Sequence, residues 1–240
     1  MPNNAAVNPS VGLKSITWPF RWAFWIGMLT MMSGALALGT GLYFHSYIWA
    51  GQGTAPFSSA LETLLVDAAL ASDLWLFGSN ALELTMFLSD GAYTATFVWT
   101  GLEEAYFLAK AGASPSGLDA ALYRFLLANA ETVEVAMLIA RLYGAKAAML
   151  VGALPLFVLV YLVAMVDGLT ARYIRKQGGG RESAFIYHRA KWAIVMLIGS
   201  AVVFLLLLPL SYSPRWLLPS MALVIGVLAR TQWAYYKKYL

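Results

Sequence analysis

The sequence contains no cysteine and little charge. Without cysteine the chain has neither a disulfide framework nor a thiolate metal site, and two histidines, His45 and His188, are too few for a histidine-rich one. Only 12% of the residues are charged, against ~25% in soluble domains, whereas 60% are hydrophobic. This composition argues against an ordinary soluble protein and predicts an integral membrane protein.

The few charges are distributed unevenly along the chain. Residues 51–140 hold ten acidic and two basic residues, a net charge of −8, and the remainder holds two acidic and fourteen basic residues, a net charge of +12. Lys and Arg concentrate in the cytoplasmic segments of membrane proteins. We therefore expect the acidic block outside the cytoplasm and the basic segments inside it.

Four apolar segments are candidates for crossing a membrane, which takes roughly 20 apolar residues. The fourth is short, but including it places the basic groups near residues 14–21, 172–191 and 230–238 on one side. The predicted order is a cytoplasmic tail at 1–21, span one at 22–49, an acidic helical periplasmic insert at 50–146, span two at 147–166, a basic cytoplasmic loop at 167–191, span three at 192–210, a periplasmic turn at 211–215, span four at 216–232 and a cytoplasmic tail at 233–240.

The insert is predicted to be helical. Capping-box patterns begin at Ser59 and Ser116, and an amphipathic helix of about 25 residues begins at Leu118. Whether that helix continues into span two is left open by the pattern. The weakly charged surface of residues 74–107 needs a cover, which is a partner chain, the membrane surface or the insert's own helices.

Span one carries small residues at helical spacing, Gly34, Ala37 and Gly41. The spacing suits a close helix contact, and glycines that are merely common in membrane helices explain it equally well.

Residues 176–192, KQGGGRESAFIYHRAKW, hold the densest group of polar side chains in the predicted cytoplasmic half. The glycines are expected to end one helix in a left-handed conformation, after which a helix resumes into span three. Ser183 and His188 are five residues apart and have no orienting third group, which disfavours a nucleophilic pair. The spacing of a phosphate-binding loop is absent. A positive-inside loop is the preferred interpretation, and a docking surface is the alternative.

Three acidic residues complete the list of candidates. Glu103 and Glu104 are neighbours, and adjacent helical side chains point about 100° apart, which favours a solvated face over an acid–base pair. Asp167 ends the second apolar segment, and we expect it to pair with Arg172 or Arg175.

The stretch VDGLTARYIRKQGGGRESAFIYHRAKW, residues 166–192, resembles the signature of the integrating conjugative element membrane protein family. The features that carry the resemblance are an aspartate-glycine at the end of a span, a basic helix, a glycine run, Arg-Glu-Ser and Tyr-His. The resemblance extends over most of the chain, with anchor, insert and terminal hairpin in the family's order. It implies a bacterial protein encoded among conjugation and type IV secretion genes.

These observations together predict an all-α integral protein of the bacterial inner membrane, with four transmembrane helices, a helical extracytoplasmic insert between spans one and two, and both termini cytoplasmic. The resemblance implies a non-enzymatic accessory or scaffold of a conjugation machine, placed near the coupling protein. The alternative is a membrane enzyme or small transporter that uses the loop at 178–191.

Neither a cofactor nor a metal site is predicted. The expected partners are other membrane or cytoplasmic subunits in a hetero-oligomer, together with anionic lipid, and no direct contact with nucleic acid is expected. The residues expected to bind a partner are Asp167, Arg172, Arg175, Gly179, Arg181, Glu182 and His188.

Overall fold

A computed structural model describes residues 10–71, 80–113, 116–178, 183–210 and 212–236. In this part of the chain the secondary structure is helical throughout, with no strand. The helices are α1 Ser10–Tyr43, α2 Ala55–Ala71, α3 Ala81–Tyr93, α4 Leu102–Lys110, α5 Leu118–Ala128, α6 Ala130–Gln177, α7 Ala184–Leu207 and α8 Pro214–Ala234, and π-helical turns follow α1 at Phe44–Ile48 and α3 at Thr94–Val98.

Four helices are long and apolar enough to cross a membrane. They include the segments Ala23–Ile48, Ala130–Gln177, Phe185–Leu207 and Trp216–Ala234. The all-α class is therefore confirmed for the described residues, and the four predicted spans correspond to candidate membrane helices. The inner membrane, the orientation of the termini and the extracytoplasmic position of the insert stay predictions.

Helix α6 is the longest element and contacts most of the others. Its 48 residues extend about 72 Å at 1.5 Å per residue, more than twice the thickness of a hydrocarbon core. The part of the predicted amphipathic helix that follows Asn129 thus does continue into span two, as α6. The prediction of one helix from Leu118 was wrong in one respect, because α5 ends at Ala128 and α6 begins at Ala130, with Asn129 between them. Past Pro155 the helix continues without interruption.

Neither predicted capping box is formed. Helix α2 begins four residues before Ser59, whose hydroxyl donates to the Pro56 carbonyl at 3.0 Å, and Pro56 suits the first turn because that turn leaves its N–H groups unbonded. Helix α5 begins at Leu118 after Gly117, with no side-chain cap. The predicted start at Leu118 is confirmed, whereas α2 begins at Ala55, before the predicted capping serine.

The first part of α6 forms a common core with α3, α4 and α5. Tyr93, Phe97, Tyr106 and Leu126 pack against Met137. Two buried tyrosines donate hydrogen bonds to carboxylates, Tyr93 to Glu103 at 2.6 Å and Tyr106 to Glu134 at 2.7 Å. Burial and the hydrogen bond to Glu103 raise the pKa of Tyr93 to about 12. Glu103 is therefore a structural acceptor, which the interpretation as a solvated face misses.

Glycines let α6 approach its neighbours closely. The stripe on α1 is a close helix contact: Gly34 faces the Tyr143 ring, Ala37 is buried, and a Cβ on Gly41 would lie 2.8 Å from Ile139 Cγ1. On α6 itself, a Cβ on Gly144 would lie 2.7 Å from the Cα of Ser89. Backbones this close suit small residues in membrane helices.

Both π-helical turns belong to a repeated motif. Residues 41–51, GLYFHSYIWAG, and 91–101, GAYTATFVWTG, share the pattern G-x-Y-x-x-x-aromatic-aliphatic-W-x-G. In each copy the backbone N–H of the tryptophan donates to the backbone carbonyl five residues earlier, Trp49 to Phe44 at 2.7 Å and Trp99 to Thr94 at 2.9 Å. The last glycine is left-handed in both, with φ of 80° at Gly51 and 73° at Gly101. The duplication can be read from the sequence, but it was not among the predicted features.

Candidate interaction site at the ends of the second and fourth spans

Three of the seven predicted partner-binding residues lie on the final third of α6, beside aromatic residues at the end of α8. We call this group the end cluster; it consists of Asp167, Arg172 and Arg175 on α6, and of Arg230, Trp233, Tyr235 and Tyr236 on or just after α8. The two helices run parallel, so that the last turns of α8 lie beside the final third of α6. A buried contact of Ala164 with Ile194 and Ala229 lies just inside the cluster.

Asp167 pairs with Arg230, whose Nε donates to the Asp167 carboxylate. The prediction that Asp167 pairs with Arg172 or Arg175 was wrong. Residues five or eight apart in a helix are not the nearest surface neighbours, which are three and four apart. Both side chains of the pair are more than half exposed, at 55% and 57%, so the pair contributes little stability by itself.

Gly168 makes this pairing possible. A Cβ at Gly168 would lie 2.6 Å from the Arg230 carbonyl oxygen and 2.8 Å from Trp233 Cβ. The aspartate-glycine pair thus combines two roles, since the glycine allows α8 to approach and the aspartate bonds across the contact. The sequence marked both residues but not their partner.

The two arginines of α6 cover the end of α8. Arg175 donates to the carbonyl of Ala234 at 2.9 Å, which satisfies a terminal carbonyl of the helix, and its guanidinium lies 3.9 Å from the centroid of the Tyr235 ring. Arg172 lies 5.3 Å from the centroid of the Tyr236 ring. Contacts of this kind stabilise by about 0.5–1 kcal/mol at exposed sites. Tyr235 and Tyr236 are therefore part of the site.

Helix α7 adds a third side to the cluster. Tyr187 packs edge-on against Tyr236 with centroids 5.6 Å apart, and His188 is exposed beside Tyr187. The Arg189 guanidinium lies 4.1 Å from the centroid of the Phe185 ring, one helical turn earlier. Ser183 immediately precedes the helix. His188 therefore lies at the edge of the end cluster and faces outward.

Three predicted partner-binding residues, Gly179, Arg181 and Glu182, lie outside the described residues. The glycine run can be assessed only at Gly178, which caps α6 with φ of −84° and ψ of 11°. The expected left-handed conformation is therefore absent at this residue.

The end cluster is suited to binding. Its planar guanidinium groups are held against rings, and arginine forks recognise carboxylates and phosphates with two hydrogen bonds. Among the residues the structure describes, no three His, Asp or Glu side chains lie together as metal ligands.

The family description IncC plasmid conjugative DNA transfer protein DtrJ-like matches residues 54–237. The chain belongs to the DtrJ-like family. Within this DtrJ-like chain the match takes in α2 to α8 and the whole end cluster, and it leaves out the whole of α1. It confirms the resemblance as far as a conjugative DNA-transfer protein; an integrating element as the source stays a prediction. No curated protein and no solved structure matches the chain significantly.

Proposed function

We propose that this DtrJ-like protein is a non-enzymatic accessory or scaffold subunit of a conjugative type IV secretion apparatus in the bacterial inner membrane. The match over residues 54–237 supports a role in conjugative DNA transfer. The end cluster supports the finer proposal, because it gathers the exposed Arg230, the half-buried Arg172 and Arg175 and half-buried aromatic rings at the ends of two helices. The coupling protein that delivers DNA to the channel is the partner to test first.

An acidic surface on a cytoplasmic subunit is the complement that the end cluster fits. Arg172 and Arg175 are bound to tyrosine rings, so they lose little side-chain freedom when a carboxylate binds. The predicted cytoplasmic orientation of residues 167–191 would present them to such a subunit. Anionic lipid head groups are a second ligand for the same guanidinium groups.

A second surface supports a scaffold with more than one neighbour. Beyond the outer end of α3, Trp99 is 80% exposed and Phe107 is 53% exposed. No other helix of the described chain covers these rings. A partner chain on this side would satisfy the requirement that the weakly charged surface of residues 74–107 be buried.

The test replaces both arginines, Arg172→Ala with Arg175→Ala, in cells that transfer DNA by conjugation. We expect transfer frequency and co-purification of the coupling protein to fall at least tenfold while membrane abundance stays within twofold. Arg124→Ala on α5 is the control, because Arg124 lies outside the end cluster and donates a hydrogen bond to the Ala120 carbonyl of its own helix. That control should transfer DNA normally.

Two results would oppose the proposal. Normal transfer and normal co-purification in the double variant would remove the end cluster as a docking surface. Unchanged transfer after deletion of the whole gene would remove the role in the apparatus. A double variant retaining co-purification but binding anionic vesicles less strongly would assign the cluster to lipid instead of a subunit.

A further inference from the structure

Helices α2 and α3 form a hairpin that runs along α6 toward the predicted span two. Phe57 packs with Val135 and Ile139. Seven residues later, Leu64 packs with Leu142 and Ala145. Helix α2 therefore advances along α6 in the same direction as α6 itself.

Helix α3 returns along the same face of α6. The Leu88–Ser89 backbone lies against Gly144, and the Ser89 hydroxyl donates to the Arg141 carbonyl at 3.0 Å. Tyr93, one turn later, packs against Met137. The start of α3 at Ala81 is therefore about 12 Å further along α6 than Ser89.

The membrane depth of these contacts can be measured on α6. Asp167 marks one polar end with its exposed ion pair, and Lys146 marks the other, since Lys146 is buried and donates to the Leu208 carbonyl where α7 ends. Asp167 follows Lys146 by 21 positions, which corresponds to a rise of about 32 Å along α6, close to the ~30 Å of a hydrocarbon core. Trp216, 83% exposed at the start of α8, fits an interfacial position at the same end.

The α2–α3 hairpin reaches this level. Leu64 lines one small cavity together with Lys146, Met149 and Leu218. Helix α2 continues for seven residues past Leu64 to Ala71, about 10 Å toward the membrane interior. The described ends of α2 and α3 thus lie past the level of Lys146, on the side toward Asp167.

Four large apolar side chains face away from the bundle at this depth, beside the polar Asn80 and Glu83. Val66 and Leu70 on α2 are 52% and 50% exposed, and Met86 and Phe87 on α3 are 47% and 73% exposed. Glu83 is exposed one turn deeper than Phe87. A carboxylate there limits the depth to the boundary between head groups and acyl chains.

We propose that the α2–α3 hairpin is embedded in the outer leaflet to the level of the acyl-chain boundary, with Val66, Leu70, Met86 and Phe87 against phospholipid. The insert is accordingly divided between an interfacial hairpin and a more distant part formed by α4, α5 and the start of α6. The occupant of the exposed face is lipid because the face continues the apolar belt of the spans at the same depth.

The absence of cysteine allows a direct test with single-cysteine variants. Leu70→Cys and Phe87→Cys are labelled with an environment-sensitive fluorophore, and the purified protein is placed alone in vesicles of phosphatidylcholine and phosphatidylglycerol. Thr100→Cys, at the distant end of the second π-turn, is the aqueous control, and Val158→Cys, 56% exposed within span two, is the acyl-chain control.

We expect nitroxide-labelled lipid to quench labels at 70 and 87 at least twofold more than the label at 100, with aqueous iodide quenching in the opposite order. Labels at 70 and 87 that behave like the label at 100 would overturn the proposal. Labels reached by neither quencher would also overturn it, because another copy of the chain would then cover the hairpin. Melting temperatures within 2 °C of the parent protein, a threshold of about 1 kcal/mol, establish that the variants fold normally.

Discussion

Gly144→Ala should separate two helices that now touch backbone to backbone. The new Cβ would lie 2.7 Å from both the Leu88 carbonyl carbon and the Ser89 Cα, and closer still to the Leu88 carbonyl oxygen. Backbone atoms have no rotamer by which to move aside, so α3 must shift by about 1 Å to restore van der Waals distance. The shift would also stretch the hydrogen bond from Ser89 to Arg141.

Overpacking of this kind costs about 1–3 kcal/mol, and the stretched hydrogen bond adds about 0.5–1.5 kcal/mol. At 2–4 °C per kcal/mol for a chain of this size, the melting temperature in detergent should fall by roughly 3–18 °C. Intrinsic tryptophan fluorescence during heating is a suitable measurement.

Gly91→Ala is the matched control, since Gly91 lies on helix α3, two residues from Ser89, and a Cβ there would meet no atom within 4 Å. Alanine at this position should stabilise the helix by about 0.5–1 kcal/mol through its higher helix propensity. A Gly144→Ala protein that melts at or above the parental temperature would refute the close approach of α3 and α6.

Three further outcomes are expected. Trp49→Ala should lower the free energy of unfolding by about 2 kcal/mol, because the centroid of its ring lies 5.2 Å from that of Phe57. Trp99 occupies the equivalent position of the repeat but is exposed, so Trp99→Ala should change the free energy of unfolding by less than about 0.5 kcal/mol in the same thermal assay. Gly168→Ala should cost about 1–3 kcal/mol and disrupt the end cluster, seen as reduced cross-linking between cysteines placed on α6 and α8. Compartment reporters fused at residues 100 and 180 should report opposite sides of the membrane, and reports from the same side would contradict the four-span topology.

The repeated motif gives the tryptophan comparison its meaning. Two copies that share the π-helical hydrogen bond and the left-handed last glycine differ in what covers the tryptophan ring, so a difference in stability reports mainly on the cover. Equal losses at both positions would mean that the ring stabilises the π-helical turn directly.

The sequence by itself determined the class of this protein and its candidate spans. An apolar run of about 20 residues has only one stable arrangement in a bilayer, because a helix satisfies all its backbone hydrogen bonds internally. That requirement is local, so the segments at 22–49, 147–166, 192–210 and 216–232 could be found without knowing how they pack. The aspartate-glycine and basic helix that signalled the family are local in the same sense.

The tertiary structure decided which residues meet. Arg230 is 63 residues from Asp167, and the pairing exists because Gly168 sets the register of α8 on α6. Side-chain partners and membrane depth are properties of two helices together, and no periodicity within either helix encodes their offset.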